Sequence, residues 1–204
     1  MANESVQPSQ EPVRPRLIGM VSATGGFEAL DEILGNLPPE FPVPILLYPN
    51  IHPDYVPALA ARLDAKTALR VVVADDGQVP APGCVNVAGC DVCLLINGGR
   101  IRLERGQADY PLRRAKDALF RSMAVDQGSG AVAVILSGMG LDGALGMKAV
   151  RDAGGYTIVQ DKATSAIYVT AEAAVRLDAA CESLPVQEIA PRLVALVNGS
   201  PALN

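Results

Sequence analysis

Residues Ala131–Leu136 (AVAVIL) form an unbroken apolar run. The next seven, Ser137-Gly-Met-Gly-Leu-Asp-Gly143, hold three glycines and one carboxylate before a helical pattern opens at Ala144. A continuous run of this kind suits a strand buried on both faces, as in a parallel sheet. The carboxyl ends of such strands are where parallel α/β sheets build their sites, so Asp142 is the first candidate site residue. An aspartate at a helix start reads either as an N-cap or as a catalytic acid.

The rest of the chain alternates in the same way. Strands are expected at Leu17–Val21, Pro44–Tyr48, Arg70–Ala74, Ala131–Leu136, Tyr156–Val159 and Ala180–Leu184. Helices are expected at Gly26–Gly35, Tyr55–Leu63, Asp117–Gln127, Asp142–Ala153, Ser165–Leu177 and Val186–Val197. The middle differs, with short runs at Val85–Ala88, Val92–Ile96 and Arg100–Glu104. Asn97-Gly98-Gly99 joins the last two, and Asn-Gly supplies the positive φ values of a tight hairpin. The expected fold is therefore α/β: a doubly wound, mostly parallel sheet with an antiparallel β-hairpin insertion. Half the residues are hydrophobic, dominated by Val, Ile, Leu and Ala with no Trp, which fits strands covered by Ala-rich helices. Residues 1–15 are polar and Pro-rich and are expected as a disordered N-terminal tail. The domain is expected to run over 16–198, with 199–204 as a C-terminal tail.

Composition excludes some functions. A net charge of −5 gives no basic surface for nucleic acid, and it is equally unsuited to an anionic membrane. No stretch is long and apolar enough for membrane insertion or a signal peptide, so a cytoplasmic location is expected. Cys84, Cys90, Cys93 and Cys181 include a Cys90-x-x-Cys93 pair, but a zinc site needs a second pair or two histidines, and the chain has one histidine. The cysteines read as small buried hydrophobes, and no metal is expected.

Two constellations carry chemistry. Gly138-x-Gly140-x-x-Gly143 follows a strand, opens a helix and has Asp161 about 20 residues on, as a dinucleotide fingerprint would. Against it, the motif lies in the second half of the chain and Asp142 puts negative charge in the would-be phosphate turn. No cofactor is expected. The first βα turn, Ser22-Ala23-Thr24-Gly25-Gly26, and the lone imidazole, His52, also lie at carboxyl ends of strands. A Ser22-His52-Asp142 triad is thus topologically conceivable.

These segments together resemble the catalytic domain of the chemotaxis receptor protein-glutamate methylesterases, the CheB family, from about Arg16 to Leu193. Asp117-Ala-Leu-Phe-Arg-Ser122, Ser137–Gly143 and Gln160-Asp161 match its D-x-L-F-R-S, T-G-M-G-x-D-G and Q-D motifs. The resemblance implies the CheB fold, a chemoreceptor or other chemosensory pathway protein as partner, and binding contributions from Thr24, Gly25, Met139 and Gly140. It also exposes departures. Counted without gaps, the family's nucleophile position falls on Ala23 and its histidine on Asn50. Cys93 replaces the hairpin-region histidine, and Val169-Thr170-Ala171 replaces the rim motif G-M-P. Asp142 alone keeps the triad carboxylate. The family usually carries a receiver domain ahead of this one, and with so short a tail none is expected here. Alanine offers no nucleophile, and asparagine takes no proton from a serine at neutral pH. The sequence therefore predicts an inactive methylesterase homologue that acts by binding. The alternative is an active esterase using the displaced Ser22, His52 and Asp142.

Overall fold

The computed structural model describes residues 14–105 and 114–199. Seven parallel strands form the central sheet: β1 (Leu17–Val21), β2 (Ile45–Tyr48), β3 (Arg70–Val73), β4 (Cys84–Val87), then β7 (Ala131–Ile135), β8 (Tyr156–Gln160) and β9 (Glu182–Leu184). Their order is β3-β4-β2-β1-β7-β8-β9. Between β4 and β7, β5 (Val92–Asn97) and β6 (Arg100–Arg105) pair antiparallel as a separate hairpin. Helices α1 (Phe27–Gly35), α2 (Val56–Asp64), α3 (Ala115–Gln127), α4 (Ala144–Asp152), α5 (Val169–Arg176) and α6 (Val186–Val197) complete the domain.

β1, β2, β7 and β8 are buried along their whole length, as their apolar runs require. Alternate residues feed two cores. Ile18, Met20, Val132 and Val134 face α1, α2 and α6, while Leu17, Val21, Ala133 and Ile135 face α3, α4 and the hairpin. On that second side α3 and α4 approach closely at Gly146, where a Cβ would stand 2.7 Å from the Asp117 backbone. Only glycine permits that distance.

Several expectations shift. β4 is not part of an antiparallel excursion; it pairs parallel with both β2 and β3. In the hairpin, Asn97 still pairs with Arg100, and the two positive φ values belong to Gly98 (57°) and Gly99 (71°). α4 starts at Ala144 because Gly143 is left-handed (φ 110°). α5 starts at Val169 rather than Ser165, because the preceding backbone is spent on tertiary bonds. Ser137 Oγ accepts the Ile167 N–H at 3.0 Å, the Ile167 carbonyl accepts the Gly138 N–H at 2.9 Å, and the Thr164 carbonyl accepts Gln160 Nε2–H at 2.8 Å. Most of the expected tails, residues 1–13 and 200–204, lies outside the described residues. Among the described residues, no helix is long and apolar enough to cross a membrane.

Candidate functional site

The first turn leaves β1 between β2 and β7. Ser22 N–H donates to the Tyr48 carbonyl at 3.1 Å, and Ala23 N–H to the Ser137 carbonyl at 2.9 Å. Successive side chains on extended backbone point to opposite faces. Ser22 accordingly packs against Gly26, 1% exposed, and its Oγ has no hydrogen-bond partner among the described residues. Ala23 turns the other way, its methyl 3.2 Å from where a Gly138 Cβ would stand. It is Ala23, not Ser22, that borders the Asp142 turn. Thr24 is exposed, and its carbonyl accepts Ser137 Oγ–H at 2.9 Å, while Gly25 (φ 79°) packs on Ala166.

Beyond β2, Asn50 is exposed and left-handed (φ 49°). His52 is also exposed. Its Nδ1 accepts the Asp54 N–H at 3.4 Å and lies 3.4 Å from Asp54 Oδ2, so it caps the short 3₁₀ turn Pro53–Tyr55. No hydrogen bond or ion pair joins Ser22, His52 and Asp142 among the described residues.

Asp142 does not cap its own helix. Its Oδ1 accepts the Asp117 N–H at 2.9 Å and its Oδ2 the Lys116 N–H at 3.1 Å, at the start of α3. Asp117 reciprocates at the start of α4, where its Oδ1 accepts the N–H groups of Gly143 (3.0 Å) and Gly146 (2.6 Å). Each carboxylate thus satisfies the orphan donors of the other's helix and meets the positive end of its dipole. Burial pushes the Asp142 carboxyl above the usual range; the two backbone N–H groups oppose this, the Asp117 charge adds to it, and the Lys116 charge opposes it.

The sequence gives no hint of the role of Lys116. It is 5% exposed, beside Asp142, yet its Nζ makes no ion pair or hydrogen bond among the described residues. Burial lowers its pKa from the ordinary 10.5, and the Asp142 charge opposes the shift. The unfolded chain therefore holds this proton to higher pH than the folded one, and stability rises with pH between the lowered value and 10.5. Lys116→Met is expected to stabilise the protein at pH 7, with the gain shrinking as the pH approaches and passes 10.5; urea midpoints at both pH values check this.

The remaining candidates line the same edge. Met139 is 68% exposed, and the carbonyls of Gly138 and Gly140 both accept Thr170 Oγ1–H, at 3.1 and 3.0 Å, which ties the turn to α5. Asp161 does not point outward as a ribose-binding acid would; its Oδ1 accepts the N–H and Oγ1–H of Thr164. Cys84 is buried, but Cys90 and Cys93 are half-buried and Cys181 is exposed, so the reading of all four as buried hydrophobes holds for one. Burial, with Glu104 and Asp142 adding to it, keeps the Cys93 thiol protonated beyond its usual range. Tyr48 is shifted the same way, by burial first and then by Cys90 and Cys93.

A doubly wound α/β domain with an acid-bearing glycine turn at the carboxyl edge of its sheet has that turn where folds of this class place their sites. The family model described as CheB methylesterase matches residues 18–193. Similar curated proteins include protein-glutamate methylesterase/protein-glutamine glutaminase 2 of Cupriavidus metallidurans, 40% identical over 92% of this chain and 56% of that protein. Another is protein-glutamate methylesterase/protein-glutamine glutaminase 3 of Burkholderia orbicola, 39% identical over 94% of this chain and 58% of that protein. The chain thus spans a little over half the length of the curated relatives it matches. The crystal structure of the Thermotoga maritima CheB methylesterase catalytic domain superposes with a TM-score of 0.82 at 32% identity, covering 91% of this chain and all of that one. The chain belongs to the CheB methylesterase family.

Proposed function

We propose that this domain is a catalytically inactive CheB-type methylesterase that works in chemosensory signalling by binding a receptor or pathway protein in the cytoplasm. The observation that carries the reading is the pair Ala23 and Asn50. Ala23 borders the Asp142 turn, where an attacking hydroxyl would be needed, and Asn50 occupies the family's base position. Losing nucleophile or base alone costs about a millionfold in such a triad. The retained Asp142 does not by itself argue for activity, because it has a structural role, accepting two backbone N–H groups at the start of α3. A displaced triad finds no support: Ser22 Oγ faces Gly26 and the His52 Nδ1 is held by Asp54.

The relatives are named for two reactions, so the test covers both. Peptides bearing a glutamate methyl ester or a glutamine are incubated with the protein, and methanol and ammonia are measured. Neither should exceed the uncatalysed rate. Turnover abolished by Ser22→Ala or His52→Ala would establish the displaced set instead.

A further inference from the structure

Two of the four cysteines stand together on the connection between β4 and β5. Cys90 and the exposed Asp91 form a turn, and Cys93 follows as the second residue of β5. Both cysteines are half-buried. Cys84 is buried within β4, and Cys181 lies just before β9, at the far edge of the sheet. A Cys-x-x-Cys spacing closes a small ring when its sulfurs join, and it is the spacing of dithiols that cycle between the reduced and bonded forms.

The turn is seated on the loop that follows β2. Cys90 N–H donates to the Ile51 carbonyl at 2.9 Å. At Gly89 a Cβ would stand 2.9 Å from Val56 Cγ2 and 3.0 Å from Pro53 Cα, so a side chain there would push the turn away. The two thiols also share a neighbour. The charge of either one acts on the hydroxyl of Tyr48, the buried last residue of β2. Only a thiolate attacks a disulfide. Burial first, then Glu104 and Asp142, keep the Cys93 thiol protonated, so the pair rests reduced until an oxidant is in excess.

We infer that Cys90 and Cys93 form a reversible intramolecular disulfide with small-molecule disulfides such as oxidised glutathione, and that the bond alters the 50–56 loop on which their turn is seated. The Cys90 thiolate attacks one sulfur of the small disulfide and expels the other as a thiolate. Deprotonated Cys93 then attacks the Cys90 sulfur, forms the Cys90–Cys93 bond and expels the second small thiolate. The two cysteine protons end on the two released thiols; the pair loses two electrons and the small disulfide gains them. This inference goes beyond the binding role proposed above and holds whether or not the domain hydrolyses esters.

The test equilibrates the full chain with reduced and oxidised glutathione, quenches in acid, and maps the cysteines by proteolysis and mass spectrometry. The Cys90–Cys93 bond should grow within single molecules as the oxidised fraction rises and vanish on return to reduced glutathione. Cys181→Ser should behave like the parent. Cys93→Ser should accumulate glutathione on Cys90, because no second thiol resolves the adduct. Amide exchange over 50–56 should slow severalfold when the bond forms, and the double variant Cys90→Ser with Cys93→Ser should show no such change in the same buffers. Circular dichroism verifies that the serine variants fold. Free Cys90 and Cys93 where Cys181 already carries glutathione, persistent adducts on Cys90 in the parent, or bonds only between molecules would overturn the disulfide. Unaltered exchange over 50–56 with the bond formed would overturn its effect on the loop.

Discussion

Asp117→Ala is expected to lower the melting temperature by roughly 6–12 °C, the equivalent of about 3 kcal/mol in a chain of this size. The side chain is 3% exposed and accepts two backbone N–H groups at the start of α4. Removing a helix cap costs about 1 kcal/mol, and each buried amide left without an acceptor adds about 1–3. Asparagine gives the sharper contrast. Both bonds to Asp117 land on Oδ1, so Asp117→Asn keeps them with its carbonyl oxygen and should cost about 1 kcal/mol or less. Asp142 uses both oxygens, so Asp142→Asn turns an amide N–H against a backbone N–H and should cost nearly as much as Asp142→Ala. Thermal melts of the four variants decide this. The double alanine variant should fall short of the sum, because both residues hold one α3–α4 junction. Equal effects of Asp117→Asn and Asp117→Ala would remove the clamp as the explanation.

Restoring Ala23→Ser together with Asn50→His is expected to raise glutamate methyl-ester hydrolysis by at least about a hundredfold, the lower bound for a positioned general base. Either change alone should do almost nothing, since nucleophile and base act as a unit. Ala23 already faces Gly138 beside the Asp142 turn. Asn50 sits at φ 49°, a left-handed conformation that histidine and asparagine tolerate better than most residues. Methanol release from an esterified peptide is the readout. Flat activity in the folded double variant would mean that Ala23 and Asn50 do not by themselves account for the proposed inactivity.

Much of this architecture could be read from residue order. The buried runs at Leu17–Val21 and Ala131–Ile135 announce strands by composition alone, and helix α6 coincides with its expected span because its apolar face repeats cleanly. Elements governed by distant contacts were harder to see. Ser165 looks like a helix start, yet Ser137, 30 residues away, takes the Ile167 backbone and delays α5. Val85–Val87 is too short to reveal whether its partner is local or distant. Likewise, Asp142 before a helical pattern suggests a local cap, while the helix it caps begins 25 or 26 residues earlier. Lys116 in the first turn of a helix resembles any solvated lysine; only packing of the turn around it makes it buried. Ala23 and Asn50 are assigned to the nucleophile and base positions by ungapped counting along the family motifs, and that assignment belongs to the proposal.

The central place of β1 also sets a timetable for biosynthesis. One neighbour, β2, follows promptly, but the other side of the ribbon waits for β7, and Thr24 meets Ser137 only after 113 further residues have been made. At about 5–20 residues per second that interval lasts roughly 6 to 23 s, during which the nascent chain carries a raw apolar margin on the ribosome. The β7-facing side of β1 is therefore an apolar strand edge whose partner is synthesised long after its other neighbour.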